Sequence, residues 1–223
     1  MKTAITALAF SVATAFAHAG EFPDEPQKPV SIGDSWTFKR VAQGEITVQS
    51  RIIFKVAQQG PGNQYIIQTL PGEINGRAPA TWRNAGRVDN DACMIDFFGG
   101  GTLGITQSCN TQFVPGMDWN TDETSNGART TQRYQVVGPE EVTVGAGTFQ
   151  AIKIESHWEV AKVLNPGKTA LKYGAPLRYH FVYWYAPETK TMVKTVREFR
   201  NLAGAIDTRS TDELEAFRVQ KPR

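Results

Sequence analysis

Few side chains in this 223-residue chain are of types that do chemistry at neutral pH. Of its three histidines, His18 lies in the leader and His157 and His180 in the C-terminal third. Glu155, His157 and Glu159 alternate along the sequence, so an extended chain puts them on one face. Imidazole and carboxylate are zinc ligands, but a site needs several of them converging on one point. Same-face neighbours on a single strand stand about 7 Å apart, too far for one ion unless another strand helps. The strip therefore reads as a solvent-facing charged surface, and the sequence predicts no metal and no cofactor. No G-x-S-x-G elbow is present, although a Ser-His-Asp triad can also be assembled from distant residues. Asp89 with Asp91 and Glu140 with Glu141 are carboxylate pairs of the kind a glycosidase uses, but they fall in turn-like sequence where acids are common. Gly99-Gly100-Gly101 with Gly104 lacks the following lysine of a phosphate-binding loop. No residue is assigned a catalytic role, and the chain reads as a non-enzyme.

The first nineteen residues form an address rather than structure. Lys2 supplies a positive start, Ala4 to Ala15 an apolar run, and Ala17-His18-Ala19 a small-residue cleavage site, so the signal peptide is residues 1–19. The apolar run is too short to span a bilayer, and no transmembrane segment follows. The expected location is periplasmic or secreted. Pro23, Pro26 and Pro29 make 20–29 an extended tether ahead of one β-rich domain over 30–223. The 24 basic and 22 acidic side chains, less Lys2, leave the processed chain close to neutral. That balance argues against a nucleic-acid partner. Cys93 and Cys109 are the only cysteines. In an oxidising compartment they are expected to form a disulfide that staples the glycine-rich stretch between them.

Strand signals dominate the rest. Val48, Ser50, Ile52, Phe54 and Val56 share one face, and the turn Gln59-Gly60-Pro61-Gly62-Asn63 leads into Tyr65 to Leu70 as a hairpin. Arg133 to Val137 and Val142 to Val144 flank Gly138-Pro139 as two strand segments. Ile152, Ile154, Trp158 and Val160 lie opposite Lys153, Glu155, His157 and Glu159, the alternation of a sheet with one wet side. Thr191 to Phe199 pairs back after a turn at Pro187 to Lys190. Thr211 to Val219 fits a closing strand or a short helix, and Asn110 to Thr130 reads as a loop with a strand start inside it. The segment Gly33-Asp34-Ser35-Trp36 is echoed by Gly116-Met117-Asp118-Trp119, which suggests two similar β halves, 30–112 and 113–223.

In Tyr179 to Tyr185 the odd positions Tyr179, Phe181, Tyr183 and Tyr185 put four aromatic rings on one face, with Val182 and Trp184 on the other. Such a strand either packs a core or lines a cavity. The candidate ligand-lining set is Tyr179, Phe181, Tyr183, Tyr185, Trp184 and Trp158.

Gly145-Ala146-Gly147-Thr148-Phe149 with Ala151-Ile152-Lys153, followed by Tyr183-Trp184-Tyr185-Ala186-Pro187 and Val193-Lys194, resembles a class of exported bacterial envelope proteins of unknown function. Gly33 to Thr37 and Pro115 to Trp119 resemble the strand-opening motif of the same class, and together these motifs cover the span 30–220. The resemblance implies an antiparallel, strongly curved sheet forming an open or half barrel, similar to the folds of lipoprotein carriers and receptors. No catalytic residues carry over from it. The motif residues also have a plain structural reading. Gly145 and Gly147 permit a tight turn, Phe149 plugs the sheet end, and Pro187 ends its strand. The expected function is a non-catalytic periplasmic protein holding an apolar or lipid-like small molecule. The alternative is a module that binds another envelope protein, with an enzyme on envelope glycans or lipids ranked behind both.

Overall fold

The computed structural model describes residues 28–44, 47–71, 81–95, 97, 106–109, 112–125, 128–160, 177–200 and 206–220. The expected signal peptide over 1–19, most of the expected tether over 20–29 and the Gly99 to Gly104 run lie outside these residues. The described residues form twelve strands: β1 Ser35–Gln43, β2 Thr47–Gln59, β3 Gln64–Pro71, β4 Arg83–Asp89, β5 Ala92–Ile95, β6 Thr106–Ser108, β7 Asp118–Ser125, β8 Ala128–Val144, β9 Gly147–Val160, β10 Leu177–Ala186, β11 Thr191–Arg200 and β12 Ile206–Arg218. One short 3-10 turn, Pro187–Thr189, joins β10 to β11.

Ten of the strands form a continuous antiparallel path, β4-β3-β2-β1-β12-β11-β10-β9-β8-β7. The first and last halves of the chain meet where β1 pairs with β12, Ser35 facing Arg218 and Gln43 facing Arg209. Among the described residues β4 and β7 pair on one side only, so the sheet is curved and open rather than closed into a barrel. This is the antiparallel, open half-barrel that the resemblance implied. β5 leaves the path, pairing with β6 and meeting β11 at a single parallel position, Ile95 beside Thr191.

Several local expectations are corrected. Arg133 to Val144 is one strand rather than two, because β8 runs through Gly138-Pro139 with a bulge at which Gly138 adopts φ 150. Only glycine takes that backbone cheaply, and the extra residue keeps Val136 and Val142 paired on either side. Asp118 to Ser125 is a full strand, although polarity made Asn110 to Thr130 read as loop. Thr211 to Val219 resolves as strand, since β12 is held on both sides by β1 and β11. In the β8–β9 turn only Gly147 has positive φ. Gly145 is needed for space instead, as a Cβ there would stand 3.3 Å from the Glu215 Cα.

The two G-x-x-W segments adopt one turn geometry. Gly33 and Gly116 both have positive φ, at 95 and 81. Each donates its N–H to a valine carbonyl in the next strand, Val56 or Val136, at 2.9 Å. Trp36 and Trp119 then face Phe54 and Tyr134 across the sheet.

Two hydrophobic clusters fill the fold. One gathers Trp36, Phe38, Phe54, Val56, Ile67 and Phe97, and reaches Phe149 and Leu214. The other gathers Met94, Phe113, Tyr134, Ile152, Ile154, Tyr183, Tyr185 and Met192. β5 serves both clusters, Ala92 and Ile95 in the first and Met94 in the second. It is tied down by the Tyr185 hydroxyl, which donates to the Cys93 carbonyl at 3.2 Å, and by the Thr191 hydroxyl, which donates to the Ile95 carbonyl at 2.8 Å.

Cys93 and Cys109 are joined in a disulfide as expected, 16 residues apart in sequence. A cross-link of that span restricts the unfolded chain by about 3 kcal/mol. Cys93→Ala/Cys109→Ala is therefore expected to lower unfolding free energy by that amount in urea titrations, with the β-sheet circular dichroism retained. Reduction of the wild-type protein should give the same loss.

Candidate functional site

The register of β9, β10, β11, β12 and β1 builds a cleft on one face of the sheet. Trp158, Tyr179 and Phe199 form one cross-strand row, and Phe181, Arg197, Ser210 and Ala42 form the next. Paired residues in adjacent antiparallel strands point the same way, so both rows face one side. A single cleft of about 760 Å³ touches all of these residues together with Arg40, Thr208 and Arg209. A cavity that reaches five neighbouring strands on one face requires the sheet to be concave there. The volume lies in the range of small-molecule sites.

The aromatic side chains of the cleft support one another. Trp158 and Phe181 have centroids 4.9 Å apart, and Tyr179 and Phe199 stand at 5.2 Å. Burial pushes the Tyr179 phenol above its ordinary value, so it is neutral at physiological pH. The depth of each aromatic along β10 decides its role. Tyr179 and Phe181 line the cleft, whereas Tyr183 and Tyr185 are fully buried in the second cluster. Burial, with Glu188 adding to it, holds the Tyr185 hydroxyl far above the usual tyrosine range. Trp184 faces the other side of the sheet and donates its indole N–H to Glu140 at 3.1 Å. Of the six aromatics nominated from sequence, the fold therefore brings three to the cleft: Trp158, Tyr179 and Phe181.

Alternation along one strand could not find the charged part of the cleft. Arg40 of β1 donates to Asp212 at 2.7 Å, and Arg197 of β11 bonds the second oxygen of the same carboxylate. Asp212 is 1 % exposed, while the two arginine side chains keep 28 % and 17 % of their surface. The buried acid thus anchors two partly exposed arginine side chains. Arg209, half exposed, pairs with Glu198 on the other face of the sheet, 3.9 Å away, and adds no charge to this row. The cleft is apolar along its aromatic side and positive at its arginines. Such a surface suits an apolar body carrying an anionic head.

The opposite face carries the histidines. His157 of β9 and His180 of β10 are directly paired, their rings stacked with centroids 4.7 Å apart. His180 Nε2 lies 3.9 Å from Glu155 and its Nδ1 lies 3.7 Å from Glu198 of β11. Partial burial lowers the His157 pKa, and the neighbouring His180 lowers it further, while Glu155 opposes them. Glu159 remains on this face of β9, beside Arg178 of β10. The acidic pairs named from sequence form no shared centre: Glu140 engages Trp184 and Lys153, Glu141 accepts from Gln150, and Asp89 accepts from Gln64.

No helix among the described residues is long and apolar enough to cross a membrane. No protein-family profile matches the chain, and no curated protein matches it either. Among solved structures, it is similar to a candidate exported protein with a YmcC-like fold from Bacteroides fragilis (13 % identity, 86 % of this chain and 98 % of that one, TM-score 0.46). It is also similar to a candidate lipoprotein from Parabacteroides distasonis (13 % identity, 85 % and 97 % covered, TM-score 0.49). The hypothetical lipoprotein YmcC from Escherichia coli aligns at 11 % identity over 86 % and 87 % of the two chains, with TM-score 0.36.

Proposed function

We propose that this chain is an exported, non-catalytic envelope protein whose curved sheet holds a single-chain amphiphile with an anionic head. The observation that carries the reading is the cleft itself, about 760 Å³, lined by Trp158, Tyr179, Phe181 and Phe199 and by the arginines Arg40 and Arg197. Each methylene buried there is worth about 0.8 kcal/mol, so a long chain supplies useful affinity before the head group is counted. Export rests on the leader, with Lys2, the Ala4 to Ala15 run and Ala17-His18-Ala19. The Cys93–Cys109 disulfide suits the same compartment.

The rival reading, a module that adds a partner strand at a sheet edge, has less support. β4 carries Arg83, Arg87 and Asp89, and β7 carries Asp118, Asp122 and Glu123. Charge along an edge discourages strand addition.

Titration with cis-parinaric acid, a fluorescent fatty acid, tests the cleft. Saturable one-to-one binding is expected, displaced by palmitate and not by dodecylamine, whose head is cationic. Ser210→Trp puts an indole between Ala42 and Arg197. It should weaken binding at least tenfold while leaving the thermal melt in place. Equal binding by this variant, or equal displacement by the amine, would count against the reading.

A further inference from the structure

We propose that Glu155, His157 and His180 form a zinc-binding site on the face of the sheet opposite the aromatic cleft. Glu155 and His157 alone are two same-face positions on β9, too far apart for one ion. The β9–β10 register adds His180 directly across from His157. One ligand atom from each of the three residues then lies within 4.8 Å of the other two. Tetrahedral zinc with bonds of about 2.0–2.2 Å holds its ligand atoms about 3.4 Å apart. Closing that difference calls for side-chain movement at His157, which is exposed and stacks its ring on His180.

A second observation concerns the orientation of His180. Its Nδ1 faces the Glu198 carboxylate at 3.7 Å. Its Nε2 is buried, has no hydrogen-bond partner among the described residues and faces Glu155 at 3.9 Å. A carboxylate behind one ring nitrogen holds the proton there and leaves the other lone pair for a metal. Glu198 thus acts as a positioning residue. The charges facing the site are mixed: Arg133 of β8 pairs with His157, Arg200 bonds Glu198 at 2.9 Å, and Arg209 of β12 stands 3.9 Å from Glu198. A divalent cation between two carboxylates relieves the excess of acceptors at His180. Two open clefts of about 350 and 300 Å³ border His157, giving solvent access and room for a fourth ligand.

Isothermal titration of the full, untagged chain with zinc alone tests the site. One ion per chain is expected to bind, with His157→Ala and His180→Ala each weakening it by roughly a hundredfold and Glu198→Gln by about tenfold. The Glu198 variant keeps all three ligands, so a loss there reports on ring orientation. Circular dichroism melts establish that each variant is folded. Absence of zinc uptake by the folded wild-type chain, or a loss below threefold in either folded histidine variant, would overturn the assignment. The cleft reading is separable from this result, because the three zinc ligands lie on the face opposite Phe181 and Arg197.

Discussion

Asp34→Ala is expected to lower unfolding free energy by about 3–5 kcal/mol, because it strands a buried ammonium group. Asp34 is fully buried, and its Oδ2 accepts from Lys190 Nζ at 2.8 Å and from the Ser31 N–H at 2.8 Å. Its Oδ1 accepts from the Gln220 N–H at 2.6 Å. One carboxylate therefore ties the turn before β1, the corner between β10 and β11, and the chain after β12. Lys190 sits in the left-handed region, at φ 60, with its side chain almost wholly enclosed. Removing the lysine as well, in Asp34→Ala/Lys190→Met, is expected to recover much of the loss, since the unpaired charge goes with it. Urea titrations of the single and double variants measure the difference. Equal losses in both would mean that the pair's charges are not what the corner depends on.

Asp212→Asn has the second large effect, and it links stability to the cleft. The variant keeps the shape of the side chain but leaves Arg40 and Arg197 without the buried charge they share. Both arginines keep some solvent contact, which screens the cost, so the loss is expected at about 3 kcal/mol. The same change releases positive charge into the cleft. Affinity for palmitate is therefore expected to rise about tenfold while stability falls, a gain of roughly 1.4 kcal/mol in binding. A variant that lost both together would point to collapse of the cleft rather than to a head-group contact.

Much of this architecture was legible because alternation reports directly which face a residue occupies. The β2–β3 hairpin, the aromatic face of β10 and the turn at Pro187 follow from spacing and from glycine and proline. Depth along a strand is another matter. Tyr179 and Tyr183 share a face, yet one lines a cleft and the other is sealed, because Met94 and Phe113 arrive from a distant segment to fill only one end. Only the start of β7 was read, since the rest of the strand is held by pairing with β8 rather than by apolar side chains of its own. The Gly138 bulge looked like a break because glycine and proline punctuate loops more often than they kink a continuous strand. Cross-strand register was the largest gap. The convergence of His180 on Glu155 and His157, and of Arg40 and Arg197 on Asp212, joins residues between about 15 and 170 positions apart, and no local pattern encodes it.

The claim on which the account turns is that the face built from Trp158, Tyr179 and Phe181 holds an anionic amphiphile. Native mass spectrometry of the protein, purified without detergent from the cells that make it, tests it most directly. The wild-type chain is predicted to carry the added mass of one carboxylate- or phosphate-bearing lipid, and Ser210→Trp is predicted to fly at the mass of the polypeptide alone. A wild-type spectrum at the bare polypeptide mass, unchanged after incubation with palmitate, would contradict the account.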